Sequence, residues 1–235
     1  MDHRTEERNP RSIGIDEKST EEVLRIINIE DQAVSLAVAK EIPNIAKATD
    51  AIISAIDEGG HVFFVGAGTS GRLGVIEAAE IPSTFGVRQE IFQAIIAGGT
   101  DAMFISIEGA EDDEAAGIRA VDDANLARGD VLMALTASGM TPFVLGALKK
   151  AHEKGCRTIA VTCNPDSPVR SLVEIAIVPK VGAEIVAGST RLKAGTAQKL
   201  VINMLTTAAM IRLGRVYDGY MVGVQPTNRK LVVRA

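Results

Sequence analysis

The stretch His61-Val-Phe-Phe-Val-Gly-Ala-Gly-Thr-Ser-Gly-Arg-Leu-Gly74, continued by Val-Ile-Glu-Ala-Ala-Glu80, leaves the chain few folds to choose from. An apolar run, a turn of glycines and hydroxyls, and an amphipathic segment read as a buried strand, a tight turn and a helix. A helix start offers unpaired N–H groups and the positive end of a dipole, and glycines let an anion approach the backbone. Such a turn suits a phosphate, and Thr69 and Ser70 add hydroxyl donors to it. No lysine follows the glycines, so the nucleoside-triphosphate loop GxxxxGK[ST] is not matched. Gly66, Gly68 and Gly71 satisfy the dinucleotide pattern GxGxxG, yet the hydroxyl pair inside it favours a small phosphate over a pyrophosphate. Glu90 precedes the next apolar run instead of ending it, which is the wrong place for a ribose-binding acid. A plain strand-to-helix turn without a ligand is the alternative.

The same alternation continues downstream. The pattern predicts strands near 91–97, 130–136, 157–162 and 174–178, and helices near 112–123, 141–154 and 191–213. Strands separated by helices instead of hairpins imply a parallel sheet covered on both faces. The expected fold is α/β, a three-layer αβα sandwich with a mainly parallel five-stranded sheet and an N-terminal helical extension. In that extension residues 9–18 are irregular, Ser19-Thr-Glu-Glu22 forms a capping box, a helix follows to about Ile29, and helical spacing from Glu30 to about Glu58 carries a kink expected at Pro43. The division that follows is an N-terminal segment 1–58, a sheet domain 59–222 and a tail 223–235.

A second turn, Thr136-Ala-Ser-Gly-Met-Thr-Pro142, repeats the chemistry of the first. Thr141 stands where an N-cap belongs, with Pro142 at the first helical position. Ser138, between Ala and Gly at a strand end, has no structural duty evident from its neighbours. Two hydroxyl-bearing helix starts in one sheet suggest a phosphate held by one and a polar body such as a sugar between them.

Composition removes several other classes. A formal charge of -5 and the lack of a basic run argue against a nucleic-acid surface. No apolar stretch reaches membrane-spanning length and the first residues are not a signal peptide, so a cytoplasmic protein without a membrane partner is expected. Cys156 and Cys163 flank an apolar strand with no metal-ligand spacing and read as buried reduced thiols.

Gly66-Ala-Gly-Thr-Ser-Gly-Arg-Leu-Gly74, Glu108-Gly-Ala-Glu-Asp112 and Gly188-Ser-Thr-Arg-Leu-Lys-Ala-Gly-Thr-Ala-Gln-Lys199 closely resemble the N-acetylmuramic acid 6-phosphate etherases, members of the sugar isomerase (SIS) domain proteins. The resemblance runs from about Arg8 to Thr227-Asn-Arg-Lys-Leu231, nearly the whole chain. It implies a homodimeric, cofactor-free lyase of amino-sugar recycling that cleaves the D-lactyl ether of a sugar phosphate by elimination and water addition. It implies Glu80 as proton donor to the leaving lactate and Glu111 as its partner base. Phosphate and sugar contacts carry over to Gly68, Thr69, Ser70, Ser138, Gly139 and Thr141, with Lys193 adding charge. The residues alone leave other readings open: Glu80 as a solvated face shared with Glu77, Glu111 as a first-turn helix acid, Lys193 as a surface lysine. A non-catalytic sugar-phosphate sensor and an aldose-ketose isomerase on the same fold are the rival functions. Met140 stands where the etherases usually carry Arg, Ile81 and Ser83 replace Cys and Pro, and members commonly continue past the position of Ala235 into a small helical domain.

Overall fold

In the computed structural model, which describes residues 4–223, five short strands form one sheet. They are β1 (Val62–Gly66), β2 (Phe92–Ile96), β3 (Val131–Leu135), β4 (Arg157–Val161) and β5 (Ile175–Ile177), in the order β2-β1-β3-β4-β5 and all parallel. The chain leaves β1 toward β2 and then returns past β1 to build β3, β4 and β5. Strand order therefore reverses between β1 and β3, where open parallel sheets of this kind hold ligands at their carboxyl ends. Gly66 pairs with Leu135, so the turns after β1 and β3 leave the sheet side by side.

Both sheet faces are covered, which explains why the strands are almost continuously apolar. Phe64, Val131, Met133, Leu135, Ile159 and Ile177 face a layer made by α1 (Thr20–Ala39), α2 (Ile42–Asp57), part of α3 (Gly68–Phe85) and α6 (Lys193–Arg212). Phe63, Val65, Leu132, Ala134 and Ala160 face α4 (Glu114–Asp123) and α5 (Pro142–Glu153). Fully burying one of the larger of these side chains contributes about 1.5–3 kcal/mol.

The predicted elements are found within a few residues of their expected ends, and three local readings change. The capping box at Ser19 forms, with Ser19 N–H donating to the Glu22 carboxylate at 2.9 Å, but α1 then runs unbroken to Ala39. Pro43 makes no kink: it lies in the first turn of α2, where a missing N–H breaks no helical bond. An unexpected hairpin, β6 (Val216–Tyr217) and β7 (Tyr220–Met221), follows α6 and turns through Asp218 and Gly219, both at positive φ. Apart from Gly223, the tail lies outside the described residues.

On the far face, α4 and α5 meet backbone to backbone. A Cβ on Gly117 would stand 1.9 Å from the Phe143 carbonyl oxygen, and one on Gly146 would stand 2.3 Å from that of Glu114. Gly117→Ala must push the two helices apart, and a loss of about 1–3 kcal/mol in urea unfolding is expected. An unchanged midpoint would show that the helices do not cross this closely.

Candidate functional site

The site is built at the carboxyl ends of β1 and β3. Ala67 caps α3 with no side-chain bond, which leaves the first N–H groups of that helix, from Gly68 to Ser70, without helical partners. Ser70 is buried and its Oγ lies 2.9 Å from the Gln198 side-chain amide, 128 residues away on α6. With the amide oxygen turned toward the N–H groups of Thr136 and Ala137, each at 3.3 Å, the amide nitrogen donates to Ser70. Gln198 is 1% exposed and in this way ties the first turn, the end of β3 and α6 together. Thr69 is half-buried against Gly195 on the same helix.

The second turn satisfies its own backbone through hydroxyls. Gly139 N–H donates to Thr136 Oγ1 at 3.1 Å, and Met140 N–H donates to Ser138 Oγ at 3.2 Å. Ser138 therefore has the structural duty that its sequence neighbours did not reveal. Thr141 occupies the N-cap position of α5 yet makes no side-chain cap bond; its Oγ1 instead lies 3.1 Å from Thr136 Oγ1. A hydroxyl that accepts an N–H still has its own hydrogen to donate, so this turn can present O–H groups to an anion. Gly139 sits at φ +68°, and a Cβ there would stand 2.4 Å from the Ser167 side chain, so no other residue fits the turn.

Beside the first turn is a cavity of about 320 Å³ lined by Gly68, Arg72, Ala97, Ser106, Glu108 and Glu111, among others. Glu111 lies on a short 3-10 turn, Ala110–Asp112, ahead of the α4 cap, where the Asp113 carboxylate takes the Ala116 N–H at 2.7 Å. It is thus not a first-turn acid of α4. It is exposed and its carboxylate has no partner among the described residues.

Glu80 is placed elsewhere. It lies twelve residues beyond Gly68 on α3, a rise of about 18 Å, exposed and with its carboxylate unpartnered among the described residues. Its neighbour Ala79 lines a different groove, of about 780 Å³, along the free edge of β2. One chain therefore does not bring Glu80 and Glu111 together. Glu77 does not share the solvated face of Glu80: it is buried and accepts from Lys199 Nζ at 2.7 Å and Thr206 Oγ1 at 2.5 Å. Ile81 is 2% exposed and packs in the core.

Lys193 is not a surface lysine. Its side chain is 4% exposed and its Nζ lies 2.5 Å from Glu30 Oε2, on α1. Asn9 also donates to that carboxylate at 2.8 Å, and Arg11 Nε lies 3.1 Å from its other oxygen. Burial alone would raise the Glu30 pKa, but the hydrogen bonds from Lys193 and Asn9, with the charges of Lys193 and Arg11, hold it below the ordinary carboxylate value. Glu184, 2% exposed, caps α6 by accepting the Lys193 and Ala194 N–H groups at 3.0 and 2.9 Å. Both cysteines are buried and free. Burial, with Glu184 nearby, pushes the Cys163 thiol up to about 12, and burial, with Asp130 nearby, pushes Cys156 up to about 11. Among the described residues no three His, Cys, Asp or Glu side chains are grouped to hold a metal ion.

Gln198, Arg72 and the Glu30–Lys193 pair were not anticipated as parts of this region. Gln198 had a detectable signal, a polar residue on the buried stripe of Ala194, Ala197, Val201 and Leu205. The others depend on partners too distant in sequence for local pattern to show.

Residues 44–152 match the glucokinase regulatory protein N-terminal SIS domain, and residues 110–208 match the SIS domain. Solved structures with the same fold include a phosphoheptose isomerase from Francisella tularensis, with a TM-score of 0.61 and 19% identity over 83% of this chain and 99% of that one. The Vibrio vulnificus NanR protein complexed with ManNAc-6P aligns with a TM-score of 0.55 at 16% identity over 87% of this chain and 68% of that one. These likenesses concern the fold alone. Sequence relatives are much nearer. N-acetylmuramic acid 6-phosphate etherase 2 of Vibrio cholerae is 51% identical over 231 residues, 98% of this chain and 75% of that protein. The N-acetylmuramic acid 6-phosphate etherase of Symbiobacterium thermophilum is 52% identical over 232 residues, 98% of this chain and 77% of that protein. The chain belongs to the N-acetylmuramic acid 6-phosphate etherase family. In this etherase family member the two hydroxyl turns rest on α6, and α6 is in turn held by Glu30 and Glu184.

Removing the Glu30 charge strands a buried lysine, so Glu30→Gln is expected to lower stability by about 3–5 kcal/mol at pH 7. Because the folded pKa of Glu30 is depressed, the stability it contributes is present above its ordinary value of 4.5 and is lost as pH falls through the lower folded value. The deficit, measured by urea unfolding, should therefore shrink below pH 4.5; an equal deficit at acid and neutral pH would remove the ion pair as its cause.

Proposed function

We propose that the chain cleaves the D-lactyl ether of N-acetylmuramic acid 6-phosphate, giving D-lactate and N-acetylglucosamine 6-phosphate. The observation that carries this reading is one juxtaposition in a chain half identical to named etherases. Two hydroxyl-bearing turns leave the sheet side by side, and an unpartnered glutamate, Glu111, lines the cavity against the first of them. The phosphate would be taken by the free N–H groups at Gly68, Thr69 and Ser70 and by the hydroxyls of Ser138 and Thr141, with Gly139 shaping the turn. Lys193, neutralised by Glu30, supports the frame of α6.

The chemistry needs acid and base and no further agent. In the open-chain sugar the aldehyde acidifies the hydrogen on carbon 2, and Glu111 removes it. The electron pair forms the double bond between carbons 2 and 3 as the bond from carbon 3 to the ether oxygen breaks. An acid, assigned to Glu80, protonates that oxygen as lactate leaves. Water then adds at carbon 3 and a proton returns to carbon 2, so the sum is ether plus water giving alcohol plus lactate.

Glu80 lies about 18 Å along α3 from the Gly68 turn, and this supports a homodimer in which each copy lends its Glu80 to the other. The exposed apolar side chains Phe104 and Ile105, close in sequence to the cavity-lining Ser106 and Glu108, are suited to lie against a second copy. A phosphorylated substrate fits a cytoplasmic enzyme; among the described residues no helix is long and apolar enough to cross a membrane.

D-lactate release from N-acetylmuramic acid 6-phosphate is the direct assay. Ser138→Ala should raise KM by about tenfold, the value of one hydrogen bond to a charged group, with little change in kcat. Unchanged kinetics would take Ser138 out of the site. Glu80→Gln and Glu111→Gln should each lower kcat by about 10²–10⁴-fold. If the copies share their acids, mixing the two inactive variants should restore up to about a quarter of the activity, since half the dimers are mixed and each has one intact site. Mixed dimers that form and stay inactive would show that both acids must come from one chain.

A further inference from the structure

Arg72 is a cation of this region that no described carboxylate holds. Lys193 is paired with Glu30 and Lys199 with Glu77, whereas Arg72 has no ion pair among the described residues, although Glu108 and Glu111 line the same cavity. Its guanidinium is instead oriented by backbone: Nε donates to the Met103 carbonyl at 3.2 Å and Nη2 to the Ile105 carbonyl at 3.1 Å. Two of five N–H donors are used, all on one side, and the Nη1–Nη2 edge keeps the two parallel N–H groups that match a carboxylate. A guanidinium held by neutral carbonyls keeps its full charge for a ligand.

We infer that Arg72 binds the lactyl carboxylate of the substrate and so selects the ether over sugar phosphates that lack it. The inference rests on the etherase reading and deepens it. N-acetylmuramic acid 6-phosphate carries two anions, and the two hydroxyl turns account for one. The second turn has Met140 and no cation of its own, so its means of holding an anion are hydroxyls and backbone, which suit a phosphate. Arg72 lies on the other side of the first turn, in the cavity that Glu111 lines. The carboxylate of the lactyl group is two bonds from the ether oxygen, so anchoring it on Arg72 brings the scissile bond into the Glu111 cavity. The product N-acetylglucosamine 6-phosphate has no such carboxylate and loses this contact, which favours its release.

The test compares two ligands on three chains. For wild type, Arg72→Lys and Arg72→Gln, KM and kcat are measured by D-lactate release, and N-acetylglucosamine 6-phosphate is measured as a competitive inhibitor. Arg72→Gln is expected to raise KM for the ether by about 100-fold, as truncation of a desolvated charge pair does, while the inhibition constant of N-acetylglucosamine 6-phosphate moves by less than about twofold. Arg72→Lys, which keeps the charge without the paired edge, should recover part of the loss. D-lactate should inhibit wild type and lose that effect in Arg72→Gln. Equal weakening of ether and product would overturn the inference and leave Arg72 as a brace for the Met103–Ile105 segment. A KM unaffected by the substitution would overturn it as well. Wild type that binds both sugar phosphates and releases no D-lactate would overturn the etherase reading itself, and this inference with it.

Discussion

The pairing of β1 with β3 is the constraint on which the rest depends. Because Gly66 lies opposite Leu135, two helix starts are delivered side by side at the point where strand order reverses. The first turn supplies unpaired N–H groups; in the second, Ser138 accepts the Met140 N–H and keeps its own hydrogen to give, while the Thr136 and Thr141 hydroxyls share one hydrogen bond. Gln198 fixes their spacing by reaching from α6 to Ser70 and to the end of β3. A buried amide with its oxygen and its nitrogen both engaged is hard to displace, because any movement leaves a polar group without a partner.

The buried charges serve the same arrangement. Glu184 satisfies the start of α6, Lys193 ties that start to α1 through Glu30, and Glu77 ties α3 to the middle of α6 through Lys199 and Thr206. The N-terminal helices are thereby more than a covering layer. Asn9, ahead of α1, bonds both Glu30 and the Ala183 carbonyl, so the segment before the first helix closes over the start of the last one. Buried pairs of this kind stabilise little in total but strongly penalise arrangements that separate the partners, which suits a site whose turns must keep one spacing.

The sheet was readable because β1 to β4 are largely apolar runs ended by glycine or hydroxyl residues, a pattern with few uses outside a buried parallel sheet. Pro43 misled because periodicity continues across it; only the turn at Lys40 and Glu41 shows that two helices meet there. The turns were readable for a related reason, since glycine with hydroxyls at a strand end has few structural alternatives. Partners across the chain were not. Nothing near Ser70 announces Gln198, and nothing near Lys193 announces Glu30, 163 residues away. Thr141 shows the limit of local chemistry: its type and position suit a cap, yet its hydroxyl turns to Thr136. For Glu77 and Glu80, three residues apart on α3, helical spacing suggested a shared face, and packing against α6 separated them into a buried ion pair and an exposed acid.

In the proposed reaction the ether bond breaks on the sugar side, between carbon 3 and oxygen, by elimination and re-addition. The measurement that tests it most directly is turnover of N-acetylmuramic acid 6-phosphate in oxygen-18 water, with mass analysis of both products. Elimination and re-addition put label on the carbon 3 hydroxyl of N-acetylglucosamine 6-phosphate and none on the lactate hydroxyl. Label on the lactate, with an unlabelled carbon 3 hydroxyl, would mean that the other carbon–oxygen bond is cut and would contradict it.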